Sequence, residues 1–293
     1  MTTLTPTHPT VFQLNTTLTS PFHHGAGSAG NTSLLRTHDV VQPDGHVARV
    51  PFLSAASLRH ALRNALAWET ARLIDLQPAS LTKSAVDLLF TGGAVSSTGA
   101  KTDLDMMRRV EEHFPALAML GYAAKSDIIT GTMWATDLIL VCAENADRLD
   151  LTDTTLKPAA HFRSEEFGTR HDQAATPAGK FIEIATGELT TAQMIWDTQV
   201  LISGSRLVGE VSLTPAATEA HRTALGAALH LWAPDGHTTL GAKNAQGFGH
   251  ADITIGDSDS FDGPPDFHAD YQQWAKHTEE HAEDIRALLA ELG

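Results

Sequence analysis

At 293 residues, with 42% hydrophobic content and a formal charge of -15 at pH 7, the chain is long enough for one large domain or two modest ones. Its single cysteine, Cys142, excludes an internal disulfide framework and a multi-cysteine zinc site. No run approaches the ~20 apolar residues of a membrane helix, and the start, MTTLTPTHPTVF, lacks the basic and apolar regions of a signal peptide, so we expect a soluble, cytoplasmic protein.

A negative total argues against nucleic acid, but binding depends on the local field. Residues 252–293 hold eleven Asp/Glu against two Lys/Arg, the composition of a solvating surface tail. Over residues 21–63 the balance reverses: Arg36, Arg49, Arg59 and Arg63 face only Asp39 and Asp44.

Residues 11–20, VFQLNTTLTS, set Phe12, Leu14, Thr16 and Leu18 against Gln13, Asn15 and Thr17. Period two with β-branched content predicts a half-buried strand ending at Pro21. Gly25-Ala-Gly27-Ser-Ala-Gly30 then spells G-x-G-x-x-G. A dinucleotide enzyme would need a helix opening here and an acid about 20 residues later. Instead NTSLLRTHDVVQPDGHVARVP follows, with a Pro-Asp-Gly turn at 43–45, and predicts a loop or hairpin. Such glycines still let a backbone approach a ligand and take positive φ.

Ser54 and Ser57 are candidate N-caps of a helix running to about Leu76, with Leu58, Leu62, Ala65 and Leu66 as its apolar stripe. Arg59 and Arg63 lie four apart on one face. Their forks match phosphate oxygens, and a helix N-terminus offers N–H groups to anions.

Residues 77–126 predict a mostly helical insertion: LTKSAVDLLFTGG, a small-residue loop AVSSTGAKTD, and a helix through LDMMRRVEEH stopped around Pro115. Residues 128–143, IITGTMWATDLILVCA, alternate as a strand. Residues 144–192 are polar and too long for an ordinary connection. They interleave Phe162 and Phe167 with Arg163 and Arg170, a mixture that can stack on bases and hold a backbone.

QMIWDTQVLISGSRLVGEVSL, 193–213, predicts two strands or one bulged strand. Thr218 to Trp232 is an amphipathic helix with Ala224, Leu225, Ala228, Leu229 and Trp232 inward. A second glycine loop, LGAKNAQGFGHADI, carries Lys243 and Asn244 into a last strand. The acidic tail ends in a helix near YQQWAKHTEEHAEDIRALLAEL. Without its insertions the order is strand, helix, strand, strand, helix, strand. We therefore expect an α+β fold with a ferredoxin-like core.

The ordered set PFHHGAGSAGNTSLLR, VPFLSAASLRHALR, MIWDTQVLISGSRLVGEVSL and LGAKNAQGFGHADI resembles the RAMP superfamily of CRISPR-associated proteins. Within it the chain looks most like the backbone subunit of class 1 effector complexes, and LLFTGGAVSSTGA with LAMLGYAAKSDIITGTMWATDLILVC looks closest to the type IV version. The resemblance implies a ferredoxin-like or RRM-like palm built from residues 1–76, 127–149 and 193–256. It implies helical fingers at 77–126, a hairpin thumb at 150–192 and an acidic C-terminal helix or tail at 257–293. The partners it implies are a guide RNA, further copies of the chain in a helical filament, other effector subunits and a complementary target nucleic acid.

The guide path so implied comprises His24, Gly25, Gly27, Gly30, Asn31, Arg36, Arg59, Arg63, Lys243 and Asn244, with Phe162 and Arg163 from the thumb. RNA-cleaving relatives carry a catalytic Asp five residues before the position of Arg36; this chain has Asn31 there. Asn supplies no carboxylate as base or metal ligand, so we expect no target cleavage. Asp39 falls on the far side of Arg36. The alternative is a metal-independent endoribonuclease that processes CRISPR transcripts, with His23, His24 and His60 as candidate acid–base groups. The adjacent pair His23-His24 has no acidic or cysteine partner at characteristic spacing, and we expect neither a bound metal nor a cofactor.

Overall fold

A computed structural model describes residues 10–95, 103–125, 127–151, 155–171, 193–257 and 265–293. Residues 96–102 of the small-residue loop and the tip of the expected thumb, 172–192, lie outside them. The fold is mixed α+β. Strand β1 (Val11–Leu18) leads into two hairpins, β2 (Gly25–Ala29) with β3 (Thr32–Leu35) and β4 (Thr37–Val41) with β5 (Val47–Leu53). Helices α1 (Ala55–Leu73), α2 (Lys83–Thr91), α3 (Leu104–His113) and α4 (Pro115–Leu120) follow. Short strands come next: β6 (Tyr122–Ala124), β7 (Asp127–Ile129), β8 (Met133–Ala135) and β9 (Leu138–Leu140). The rest is β10 (Arg163–His171), β11 (Gln193–Leu201), β12 (Arg206–Leu213), α5 (Glu219–Trp232), β13 (His237–Thr239), β14 (His250–Asp257), α6 (Phe267–Glu280) and α7 (Ala282–Leu292). No described helix is long and apolar enough to cross a membrane.

The main sheet runs β13-β14-β1-β12-β9-β5-β4, with β8 also on β12. β1 is antiparallel to both neighbours, Leu14 standing opposite Gly209 and Ile255. Its alternation sorts as expected: Phe12, Leu14, Thr16 and Leu18 are buried, while Asn15 and Thr17 are exposed. The buried side joins Leu58, Leu62 and Leu66 of α1 and Ala224, Leu225, Ala228 and Leu229 of α5 in one core. Each such leucine contributes roughly 1.5–3 kcal/mol of burial.

A second sheet, β10-β11-β3-β2, carries the long hairpin. β10 and β11 pair from Arg163↔Leu201 to His171↔Gln193. The return strand, 193–201, therefore belongs to the hairpin sheet rather than to the main sheet. β11 also meets β3 in parallel, at Asp197↔Thr32 and Thr198↔Ser33. The G-x-G-x-x-G segment is one arm of the β2–β3 hairpin, with no helix opening from it.

Three expectations change. The strand expected over 128–143 is broken into β7, β8 and β9. Gly131 presses on the Met119 and Gly121 backbone, and a Cβ there would lie 2.2 Å from the Met119 oxygen. Thr136 and Asp137 then leave the ladder to accept from the amides of Glu210 and Ala55. Second, the helix stops before Pro115 as expected, but the proline also opens a further helix at N1, where its missing N–H costs nothing. Third, the acidic tail is docked, not solvated.

Helices α6 and α7 bury Trp274, Ile285, Leu288, Leu289 and Leu292. Phe267 meets Phe12 edge-on at 5.3 Å between ring centroids. Asp270 is buried and takes a two-pronged contact from Arg222 at 2.9 and 3.3 Å. Burial raises the Asp270 carboxyl pKa despite that partner. Gly226 makes the approach possible, since a Cβ there would lie 2.1 Å from the Asp270 carboxylate. Apart from Asp270, the charged residues of α6 and α7 are exposed, and the apolar stripe completes the core. Accordingly, Leu288→Ala should lower stability by about 2–5 kcal/mol in urea unfolding, and truncation after residue 256 should leave an aggregating chain. An unchanged urea midpoint would show that α7 is a surface appendage.

Candidate nucleic-acid interface

The two glycine loops are brought together by one short extended segment, Pro21–His24. On one side Phe22 and Leu201 exchange backbone hydrogen bonds at 2.9 Å, and the His23 ring meets the Gln199 carbonyl at 2.8 Å through Nδ1. On the other side the Ala242 amide donates to the His23 carbonyl at 2.8 Å and Gly249 donates to that of Pro21 at 2.7 Å. Closeness requires glycine here: a Cβ on Gly241 would lie 2.3 Å from the His23 oxygen, and one on Gly249 1.9 Å from the Leu240 oxygen. Gly27 and Gly30 differ. Their φ values of +105° and +60° favour glycine, but a Cβ would meet nothing within 4 Å.

Between this junction, the first turns of α1 and the end of α5 lies a groove of about 690 Å³. His24, Arg36, His60, Asn64, Trp232 and Asn244 line it. Arg36 is exposed, and its amide is held by the His24 carbonyl at 2.7 Å. Lys243 takes φ +64° and reaches back across the junction. Its Nζ donates to Ser33 Oγ at 3.1 Å and to Thr198 Oγ1 at 2.5 Å. Both partners are neutral hydroxyls, so the ammonium charge is not cancelled by them.

His24 is buried against Phe52, edge to face at 5.9 Å, and its Nε2 accepts from the Ser54 amide at 3.4 Å. Burial, helped by the charges of Arg36 and His23, lowers its pKa to about 4. At neutral pH it is an uncharged acceptor and offers no charge to a phosphate. The α1 N-terminus is also occupied: Ser54 Oγ accepts from the Ser57 amide at 3.3 Å, and Asp137 accepts from the Ala55 amide at 2.8 Å. A carboxylate already sits where the helix dipole would favour an anion.

Arg59 and Arg63 do not join this cluster. Arg59 donates to the Met133 carbonyl and, at 2.7 Å, to that of Leu120. Arg63 donates to Leu120 at 3.2 Å and to Gly121 at 2.7 Å. Burial lowers both pKa values, that of Arg63 to about 10 with the Arg59 charge adding. The pair caps the carbonyls at the end of α4 and fastens it to α1. Their neighbours one position on, His60 and Asn64, face the groove instead. An i, i+4 reading of α1 finds that second pair as readily as the first.

The hairpin residues divide. Phe162 packs against the core, and its carbonyl accepts from Ile202 at 2.9 Å. Arg163 opens β10 beside a shallow hollow shared with Glu165, Phe167 and Gln199. Phe167 is 72% exposed, and Trp196 covers Gly168 across the pair. Asn31 is exposed at the β2–β3 turn, and its carbonyl accepts from the Asp197 amide at 3.2 Å. The Asp197 carboxylate accepts from Thr32 at 2.7 Å. Sequence spacing misses this acid because it arrives from β11. Asp39 pairs with Arg49 at 3.6 Å on the other hairpin.

Two measurements check these assignments. Arg63→Ala should cost about 1–3 kcal/mol by leaving the Leu120 and Gly121 carbonyls short of a donor. For His24 the folded pKa, about 4, lies below the ordinary 6.5, so the unfolded chain takes the proton first. Its contribution to stability is present above pH 6.5 and is lost as pH falls toward 4. His24→Asn should therefore show a flatter urea midpoint than the parent chain across that window; parallel profiles would contradict a neutral His24.

No family model matches the chain, and no curated protein matches it. Its fold is similar to that of a chain in the solved structure of the "Type IV-B CRISPR Complex", with a TM-score of 0.56 and 19% sequence identity. The match covers 87% of this chain and 95% of that one, a likeness of fold over nearly the whole of both.

Proposed function

We propose that this protein is a non-catalytic subunit of a CRISPR effector complex that binds guide RNA along the groove at the glycine-loop junction and assembles with further copies of itself in the cytoplasm. The observation that carries this reading is the fold shared, nearly end to end, with a chain of a Type IV-B CRISPR complex. The strand order β14-β1-β12-β9, with α1 and α5 on the buried side, fits a ferredoxin-like palm. The helices of 77–126 serve as fingers, and the β10–β11 hairpin as the thumb.

The chemistry of the junction suits a phosphate backbone. Arg36 and Lys243 supply charge, Asn244 and Asn64 supply amide donors, and the open space over Gly27 and Gly30 admits a polymer closely. Arg59 and Arg63 contribute only through the scaffold. Contacts of this kind fix a strand without reading it and leave base edges free to pair with a complementary target. Phe167 and Trp196, exposed on the thumb, are placed to meet a base or a neighbouring copy. A heterologous contact between copies generates an open filament, and other effector subunits would cap it.

RNA processing is the second reading, favoured by His60, which is exposed in the same groove as Arg36. One experiment separates the two. The chain is co-expressed with a CRISPR array transcript, the high-mass fraction is isolated, and its RNA is digested with nuclease. Periodic protection of guide-length RNA is expected, whereas repeat cleavage lost on His60→Ala would favour processing. In vitro, Arg36→Gln with Lys243→Gln should weaken RNA binding at least ~tenfold and reduce the salt slope by about 2. An unchanged affinity in the folded variant would overturn the assignment of the groove.

A further inference from the structure

Away from the groove, where α3 meets the joint between α6 and α7, His113 converges with two side chains of the C-terminal helices, His281 and Asp284. His113 ends α3, His281 sits at the break between α6 and α7, and Asp284 lies in the first turn of α7. The Nδ1 atoms of His113 and His281 are 3.1 Å apart. Asp284 Oδ2 is 3.4 Å from His281 Nδ1 and 3.8 Å from His113 Nδ1. A tetrahedral site with metal–ligand bonds of ~2.05 Å has corners ~3.3 Å apart. The three donor atoms thus stand near three corners of such a site, and no other group of three among the described residues does so.

The protonation chemistry points the same way. Two imidazole nitrogens that face each other at 3.1 Å need a proton between them, so one ring must donate from Nδ1. A divalent cation satisfies both lone pairs at once, with each ring proton on Nε2 and the Asp284 carboxylate offsetting charge. The set remains reachable, with side-chain exposures of 19%, 30% and 55% for His113, His281 and Asp284. Beside it, the His277 ring lies 4.5 Å from that of His281.

We propose that His113, His281 and Asp284 bind a transition-metal cation of the Zn²⁺ class, with a fourth position open beside His277. Two nitrogens and one carboxylate suit zinc better than magnesium or calcium, which take oxygen donors. The ion would staple the helical insertion to the C-terminal helices that complete the core. The site is independent of the RNA groove, and so is its test.

The full chain is stripped with chelator and titrated with Zn²⁺ against a chromophoric competitor, and with Co²⁺ to read the intense visible bands of four-coordination. One equivalent is expected to bind, with a rise in Tm. His113→Ala with His281→Ala should lose it, and the control His230→Ala with His268→Ala should keep it. Should the first variant fail to fold, Asp284→Asn, changed at an exposed carboxylate, should stay folded by circular dichroism and bind at least ~tenfold more weakly. Equal affinity in folded Asp284→Asn, weak six-coordinate Co²⁺ bands, or loss of the equivalent in the control would overturn the proposal.

Discussion

Four residues, Pro21 to His24, hold the two glycine loops together. They add a short strand-like link between the end of β11 and the second glycine loop, and their carbonyls take the amides of Leu201, Ala242 and Gly249. Everything at the groove follows from that link. It sets Lys243 against Ser33 and Thr198, brings Arg36 round behind His24, and turns the β2–β3 hairpin outward. The glycines at 241 and 249 are there because two backbones touch; those at 27 and 30 are there because the chain turns. One motif letter therefore has two physical meanings in this protein.

Periodicity carried the sequence-based account where one face of an element is buried. The alternation of β1 and the stripe of α5 depend only on local spacing, and both are found as read. Ser54 was legible as a cap because a hydroxyl before an apolar run has few other uses. What local spacing cannot show is the partner. Arg59 and Arg63 look like a phosphate clamp on a helix drawn alone, but the α4 carbonyls that occupy them come from another element. By charge alone the acidic tail reads as solvated; its stripe of Ile285, Leu288, Leu289 and Leu292 is buried only because α7 packs on other elements. His113 and His281 were invisible as a pair for the same reason, although His281 and Asp284 alone have the spacing of one helical turn.

The electrostatics of the groove are sparser than the arginine count suggests. His24 is neutral, Asp137 occupies the α1 amides, and the α1 arginines face inward. The remaining field comes from Arg36 and Lys243, on opposite sides of the junction. Under the proposed function, so few charges per copy would hold a strand only weakly, and affinity would come from repetition along the polymer.

The position of β1 also bears on how the chain matures. It lies inside the main sheet, yet both of its partners, Arg206–Leu213 and His250–Asp257, are synthesised long after it. At about 5–20 residues per second, roughly 10–50 s separate β1 from β14 on the ribosome. Until β12 is made, Phe12, Leu14 and Leu18 have no sheet to complete. The nascent protein must carry β1 without either partner until β12 has been made, and its exposure to misassembly lasts until both partners are in place.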